Sequence, residues 1–197
     1  MRPLPFVWPY ALVFWAVYLW AFLPEWRIVR DARAGAKRAE SKDSGSIKVL
    51  LGGMWAALFI AFPLAFVKAW SFPKNWQLPL FVAGVLMVFF GSLLRRYCWR
   101  TLGEYFTGDV RARPDQPIIR SGPYRLVRHP SYTAGMIMFI GIGLALGSWF
   151  SLALLTIVTI ATYTYRVAVE ERALLDTIGE PYEAYMKERK RFIPYIV

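Results

Sequence analysis

The sequence predicts an all-α integral membrane protein of five transmembrane helices, the last two a tight helical hairpin, with a cytoplasmic C-terminal helical segment behind them. Three observations lead there. Of 197 residues, 57% are hydrophobic and 17% aromatic, which is not the balance of a water-soluble domain. The apolar residues gather in five runs, Leu4–Leu23, Ile47–Val67, Leu78–Leu94, Tyr132–Leu146 and Trp149–Tyr165. Nearly all the charge lies in the loops between them.

The first run sits in "MRPLPFVWPYALVFWAVYLWAFLPEW". It is too long for the core of a signal peptide and has no small-residue cleavage site, so it is expected to stay as a helix. A straight span takes about 20 residues, which the first two runs reach comfortably and the third nearly. The loop between the first two, "EWRIVRDARAGAKRAESKDSGS", mixes both charge signs with alanine and ends in Ser and Gly. That pattern suits a solvated helical stretch followed by a flexible turn. The last two runs are short, with only Gly147 and Ser148 between them. A tight hairpin follows, its tip shallow in the bilayer or its helices buried in the bundle. The chain divides on this reading into residues 1–100, three helices with a basic loop, and residues 101–197, which hold the chemistry-bearing motifs.

Charge sets the expected orientation. Six Lys or Arg fall in Pro24–Ser46, eight in Arg95–Ser131 and six from Arg166 onward, while Arg2, Lys68 and Lys74 face the other side. The positive-inside rule then puts the N-terminus outside and the C-terminus in the cytoplasm. All thirteen carboxylates fall on the cytoplasmic side as well, so chemistry that needs acids belongs there. The net charge of +11 is mainly topological, which removes the case for nucleic-acid binding. A single cysteine, Cys98, excludes an intrachain disulfide, and with one histidine, His129, no metal site is expected. Cys98 reads as a small buried apolar side chain.

Two segments could carry chemistry. In "RSGPYRLVRHPSYTAG", Gly122 and Pro123 make a turn and Pro130 is suited to the first position of a helix, where its missing N–H costs nothing. The helix N-terminus offers free N–H groups and a positive dipole end to an anion, with His129 just outside it beside Arg128. In "TYRVAVEERALLDTIGEPYEAY", Arg166 and Glu170 share a helical face and Glu171 follows. Taken singly, each residue has a plain structural reading. His129 would be satisfied by a backbone carbonyl at the interface, and Tyr124 and Tyr132 would belong to an aromatic belt. Arg166 and Glu170 would form a local salt bridge, Glu171 would be solvated, and Gly135, Gly141 and Gly143 would let helices pack closely. Together they converge on one side of one hairpin, which favours a site.

The set Ser121-Gly122-x-Tyr124, Arg128-His129-Pro130-Ser131-Tyr132-x-x-Gly135, Glu170-Glu171 and Gly179-x-x-Tyr182-x-x-Tyr185 resembles the C-terminal half of isoprenylcysteine carboxyl methyltransferases. The related membrane phospholipid methyltransferases share a similar arrangement. The resemblance spans roughly Tyr105 to Pro194; the first three helices match only in being hydrophobic. It implies S-adenosylmethionine as methyl donor, held at the cytoplasmic end of the last two helices under the C-terminal segment. A lipophilic or prenylated acceptor would enter from the bilayer. Position by position, it implies that Tyr124, His129, Pro130, Ser131 and Tyr132 line the cofactor site, that Glu170 holds a polar end of the cofactor, and that Gln116, Ile118 and Ile119 contact it. It assigns Arg166 to the acceptor carboxylate, as the candidate catalytic residue. Here Gln116 and Pro117 stand where the family often has a His-Thr or similar pair.

The residue types suit that chemistry. Carboxylates accept from hydroxyls and ammonium groups, and tyrosine faces favour a sulfonium. No Gly-rich strand-turn-helix fingerprint is present, so a Rossmann-type site is not expected. A carboxylate acceptor is already ionised at neutral pH and needs no base, which leaves positioning and desolvation as the work to be done. Three alternatives stand beside this. One is amine methylation of a phospholipid head group. Another is an NADPH-dependent sterol-reductase-like enzyme using Arg111, Arg113, Arg120, Arg125 and Arg128 for a 2′-phosphate. The third is a membrane scaffold or small transporter.

Overall fold

The computed structural model describes residues 2–35, 45–106 and 116–194, with 26–35 as backbone only. Among these residues the secondary structure is helical: α1 (Tyr10–Gly35), α2 (Ser46–Leu64), α3 (Lys74–Leu102), α4 (Pro130–Ala145), α5 (Trp149–Ile178) and α6 (Glu180–Glu188), with short 3₁₀ turns. The helical stretch expected in the first loop is the C-terminal part of α1; the turn expected after it lies outside the described residues.

Three helices outrun the apolar runs that announce them. α1 continues past Leu23, α3 past Leu94 and α5 past Tyr165. Beyond those points the sequence turns polar but keeps good helix formers such as Arg, Glu, Ala and Leu. α3 and α5 stop where glycine takes a positive φ, +56° at Gly103 and +72° at Gly179. The expectation of two short helices holds for α4, with 16 residues, and is corrected for α5, with 30; they are about 24 and 45 Å long at 1.5 Å per residue. They are joined through Gly147, whose φ of +71° makes the turn, and Ser148 caps α5 by accepting from the Ser151 N–H. Helices at Ser46–Leu64, Lys74–Tyr105 and Trp149–Ile178 are long and apolar enough to cross a membrane, whereas Tyr10–Glu25 and α4 are shorter apolar helices. Large apolar side chains point outward along these helices, among them Phe59 (82% exposed) and Ile157 (66%). That outer surface is what an integral membrane protein presents to lipid.

The helices pack in the order α1, α3, α4, α5, α2. The ring closes where Phe62 of α2 stacks on Trp15 of α1 at 5.7 Å between centroids. In lipid there is little hydrophobic drive between helices, so close backbone approach carries the association. Glycines supply it, as expected for Gly135, Gly141 and Gly143 and also at two positions on α3. A Cβ on Gly141 would lie 2.6 Å from the Gly84 carbonyl oxygen, and one on Gly91 would lie 2.7 Å from Met138 Cγ. On Gly143 it would lie 2.7 Å from Leu152 Cα, and on Gly135 it would collide with the Tyr163 ring. Ser151 Oγ donates to the Ala61 carbonyl at 2.8 Å, tying α5 to α2. Cys98 is fully buried, as expected.

These contacts separate glycines that must stay small from those that need not. Gly141→Ala should destabilise the detergent-solubilised protein by about 1–3 kcal/mol, since its neighbour is backbone. Gly52→Ala, with nothing within 4 Å of the new Cβ, should be neutral or stabilising by up to about 1 kcal/mol from helix propensity. Paired thermal unfolding curves check both.

Candidate functional site

The site begins where α4 starts. Pro130 occupies the first turn of α4 and His129 is its N-cap, as the sequence suggests. The backbone just before it is held by the chain's end: Arg128 N–H donates to the Lys190 carbonyl (2.8 Å) and His129 N–H to that of Arg191 (3.0 Å). Thr133 Oγ1 donates to the Phe192 carbonyl at 2.8 Å. Residues 189–194 thus form a strap across the α4 N-terminus. α6 brings the strap there, with Tyr182 and Tyr185 buried and the Tyr185 hydroxyl donating to the Tyr124 carbonyl at 2.9 Å.

Glu171 fastens this corner. It was expected to be solvated, but its side chain is only 3% exposed and is shared among three cationic or imidazole groups. Arg128 Nη2 lies 2.9 Å from Oε1 and Arg191 Nη2 lies 2.7 Å from Oε2. His129 Nε2 lies 3.2 Å from Oε1. The sequence reading aimed His129 at an incoming anion; in the fold its Nε2 is on Glu171 and its Nδ1 lies 4.0 Å from Glu170. Arg128 also donates to the Met186 carbonyl at 2.7 Å, while its buried Nε has no partner among the described residues.

Glu170, one residue earlier, points elsewhere because successive side chains on a helix lie about 100° apart. It accepts from the Tyr132 hydroxyl at 2.7 Å. Arg166 Nε reaches the same hydroxyl at 3.3 Å, and its Nη1 donates to Ser46 Oγ at 2.6 Å. The aromatic-belt reading of Tyr132 and Tyr124 is therefore corrected, because Tyr132 lies inside this network and Tyr124 is only 6% exposed. Burial pushes the Tyr124 and Tyr182 phenols well above their ordinary range, so both stay neutral at physiological pH.

These groups line a cavity of about 180 Å³. Nine of the ten sequence-predicted residues are on its wall: Gln116, Ile118, Ile119, Tyr124, His129, Ser131, Tyr132, Arg166 and Glu170. Pro130 is not; it is buried behind them as the first residue of α4. The sequence reading missed Glu25 and Arg95, which line the cavity together with Arg128. Arg95 and Glu25 each follow an apolar run by a residue or two, and that placement was the available signal. The wall also carries apolar residues, among them Ile47, Leu50 and Leu51 of α2 and Leu174 and Ile178 of α5. The cavity draws on both sides of the expected division at residue 100. Of the arginines considered for a 2′-phosphate, Arg128 is engaged by Glu171 and Arg120 by Glu188 at 2.6 Å. Arg111 and Arg113 lie outside the described residues. No group of three His, Cys, Asp or Glu able to hold a metal ion occurs among the described residues.

The clasp makes a specific prediction. Glu171→Ala should cost about 3–5 kcal/mol, because the buried Arg128 guanidinium loses its counter-charge and the half-exposed Arg191 its partner, and should speed hydrogen exchange at the Arg128 and His129 amides. Glu188→Ala, which removes the exposed partner of Arg120, should stay within about 1 kcal/mol. Thermal unfolding and exchange mass spectrometry measure the two.

Comparison with known proteins places the chain in a family. The phospholipid methyltransferase family profile matches residues 80–180, just over half of the chain. A probable protein-S-isoprenylcysteine O-methyltransferase of Oryza sativa subsp. indica is 30% identical over 115 residues, 57% of this chain and 60% of the relative. The protein-S-isoprenylcysteine O-methyltransferase of Schizosaccharomyces pombe is 32% identical over 54% of this chain and 46% of its own length. That of Xenopus laevis is 31% identical over 59% and 41%. The chain thus spans 60% or less of the length of these relatives. A solved structure of the eukaryotic intramembrane Ras methyltransferase, isoprenylcysteine carboxyl methyltransferase, superposes with a TM-score of 0.58 at 24% identity, covering 78% of this chain and 53% of that one, which shows a shared fold. With its profile matched from the second turn of α3 to the first residue of α6, the chain belongs to the phospholipid methyltransferase family.

Proposed function

We propose that this protein is an S-adenosylmethionine-dependent methyltransferase of the membrane that esterifies the carboxylate of a lipophilic, isoprenylcysteine-like acceptor. The observation that carries this is the convergence of Tyr132, Glu170 and Arg166 on one cavity whose wall also carries apolar residues of α2 and α5. In this reading the five apolar helices embed the chain with the strap and C-terminus in the cytoplasm, and residues 101–197 supply most of the donor site.

The donor set fits the cofactor. Bound there, S-adenosylmethionine would supply a methyl group on a positively charged sulfur, open to attack by a carboxylate oxygen. Glu170 accepts from its hydroxyl or ammonium groups, and the faces of Tyr132 and Tyr124 favour positive charge. The unpartnered Arg128 Nε is a donor that a ligand carboxylate would satisfy, with His129 held in place beside it by Glu171. Gln116, Ile118, Ile119 and Ser131 close the wall, and Pro130 sets the start of α4. Arg166 is fixed by Ser46 and Tyr132 so that its guanidinium orients the acceptor carboxylate. No general base is required, because the acceptor oxygen carries its charge before it arrives. The apolar wall of α2 and α5 excludes water from the reacting groups and accepts the lipid portion.

A second reading, amine methylation of a phospholipid, is favoured by the family's description and by the two cavity carboxylates, Glu25 and Glu170. The two differ in pH dependence. Transfer of a labelled methyl group to an S-prenylated N-acylcysteine should be nearly flat above about pH 5, whereas transfer to a phosphatidylethanolamine would climb through the amine's pKa. Arg166→Ala should lower kcat/KM for the carboxylate acceptor by roughly 30- to 150-fold, as loss of a charged hydrogen bond of about 2–3 kcal/mol implies. Glu170→Gln should weaken S-adenosylhomocysteine binding in titration calorimetry and leave the acceptor KM unchanged. Thermal protection by NADPH instead would replace this reading with the reductase.

A further inference from the structure

A partly buried pair on the two helices outside the motif-bearing segment reaches into the site. Arg95, on α3, donates from Nε and Nη2 to both carboxylate oxygens of Glu25 on α1, the Nη2 contact being 2.8 Å. From Nη1 it donates to the Ser131 carbonyl (3.0 Å) and Ser131 Oγ (2.9 Å) in the first turn of α4. The next residue, Tyr132, holds Glu170 and Arg166 of α5, and Arg166 holds Ser46 of α2. One hydrogen-bonded chain therefore takes a residue from each of the five long helices: Glu25, Arg95, Ser131 with Tyr132, Glu170 with Arg166, and Ser46.

We infer that Arg95, oriented by Glu25, is a positioning residue for the methyl-donor site: it fixes the first turn of α4 so that Tyr132 presents its hydroxyl between Glu170 and Arg166. A planar guanidinium suits the task because its fork satisfies a carboxylate on one edge and keeps donors on the other. A lysine at this position carries the charge but cannot bridge Glu25 and both Ser131 oxygens at once. Arg95 and Glu25 both line the cavity, so their loss acts on the site directly. The inference rests on the methyl-transfer reading for the identity of the donor, but not for the placement of the turn.

The test uses the full chain in lipid nanodiscs as wild type, Arg95→Lys, Glu25→Gln and the double variant. Two readouts are taken: hydrogen exchange at the Tyr132–Met136 amides without ligand, and Kd for S-adenosylhomocysteine with KM for each substrate. Arg95→Lys is expected to exchange at least several-fold faster in that turn alone. It should bind S-adenosylhomocysteine about tenfold more weakly with the acceptor KM unchanged. The double variant should be no worse than Arg95→Lys. Wild-type exchange in the turn would overturn the proposal, as would faster exchange spread evenly over all helices, which marks a general structural role. If the wild type ignores S-adenosylhomocysteine, the donor assignment fails while the exchange result still decides whether Arg95 positions the turn.

Discussion

A chain with 24 Lys and Arg against 13 Asp and Glu has few carboxylates to share, and Glu171 is placed where one serves three elements. Its two oxygens meet Arg128 from the loop before α4, His129 from the α4 cap and Arg191 from the strap. A buried ion cluster is stable only when each charge has partners of good geometry, so the three elements hold one another in place. Closure of the strap, the set of the α4 N-terminus and the orientation of His129 follow from that shared carboxylate. Without it, the wall of the cavity on that side has no fixed position.

Adjacent glutamates divide the work because they sit on a helix. Glu171 turns toward the strap and is consumed by it, whereas Glu170 turns toward the cavity and accepts from the Tyr132 hydroxyl. The same geometry explains why Arg166, four residues before Glu170, shares Tyr132 with it rather than being read as a simple surface pair. A motif that looks like a repeated charge in one dimension becomes one structural and one accessible carboxylate in three.

The cavity forms where α1, α3 and α5 continue past their apolar stretches as polar helix. Glu25, Arg95, Arg166 and Glu170 all occupy that margin, and α4 begins at the same level. Glycine contacts at Gly84–Gly141 and Gly91–Met138 bring the α3 and α4 backbones close, close enough for a side chain on α3 to bond backbone on α4. Glu25 and Ser46 lie before the family profile begins at residue 80, so the two helices outside the profile still furnish residues of the site.

By itself the sequence determined the helical membrane class, the five apolar runs and the motif residues, because hydrophobic run length, loop charge and the Arg-His-Pro-Ser-Tyr turn are properties of neighbouring residues. It determined as well that Pro130 opens a helix and that Gly135, Gly141 and Gly143 sit at close contacts. Only the tertiary structure decided how far each helix extends, since polar residues with high helix propensity leave no break for composition to mark. It also decided that Glu171 is buried rather than solvated, that His129 faces protein carboxylates, and that Glu25 and Arg95 join the site. Those outcomes depend on pairs 20 to 70 residues apart, and a single sequence gives no signal for which distant charge a side chain will meet.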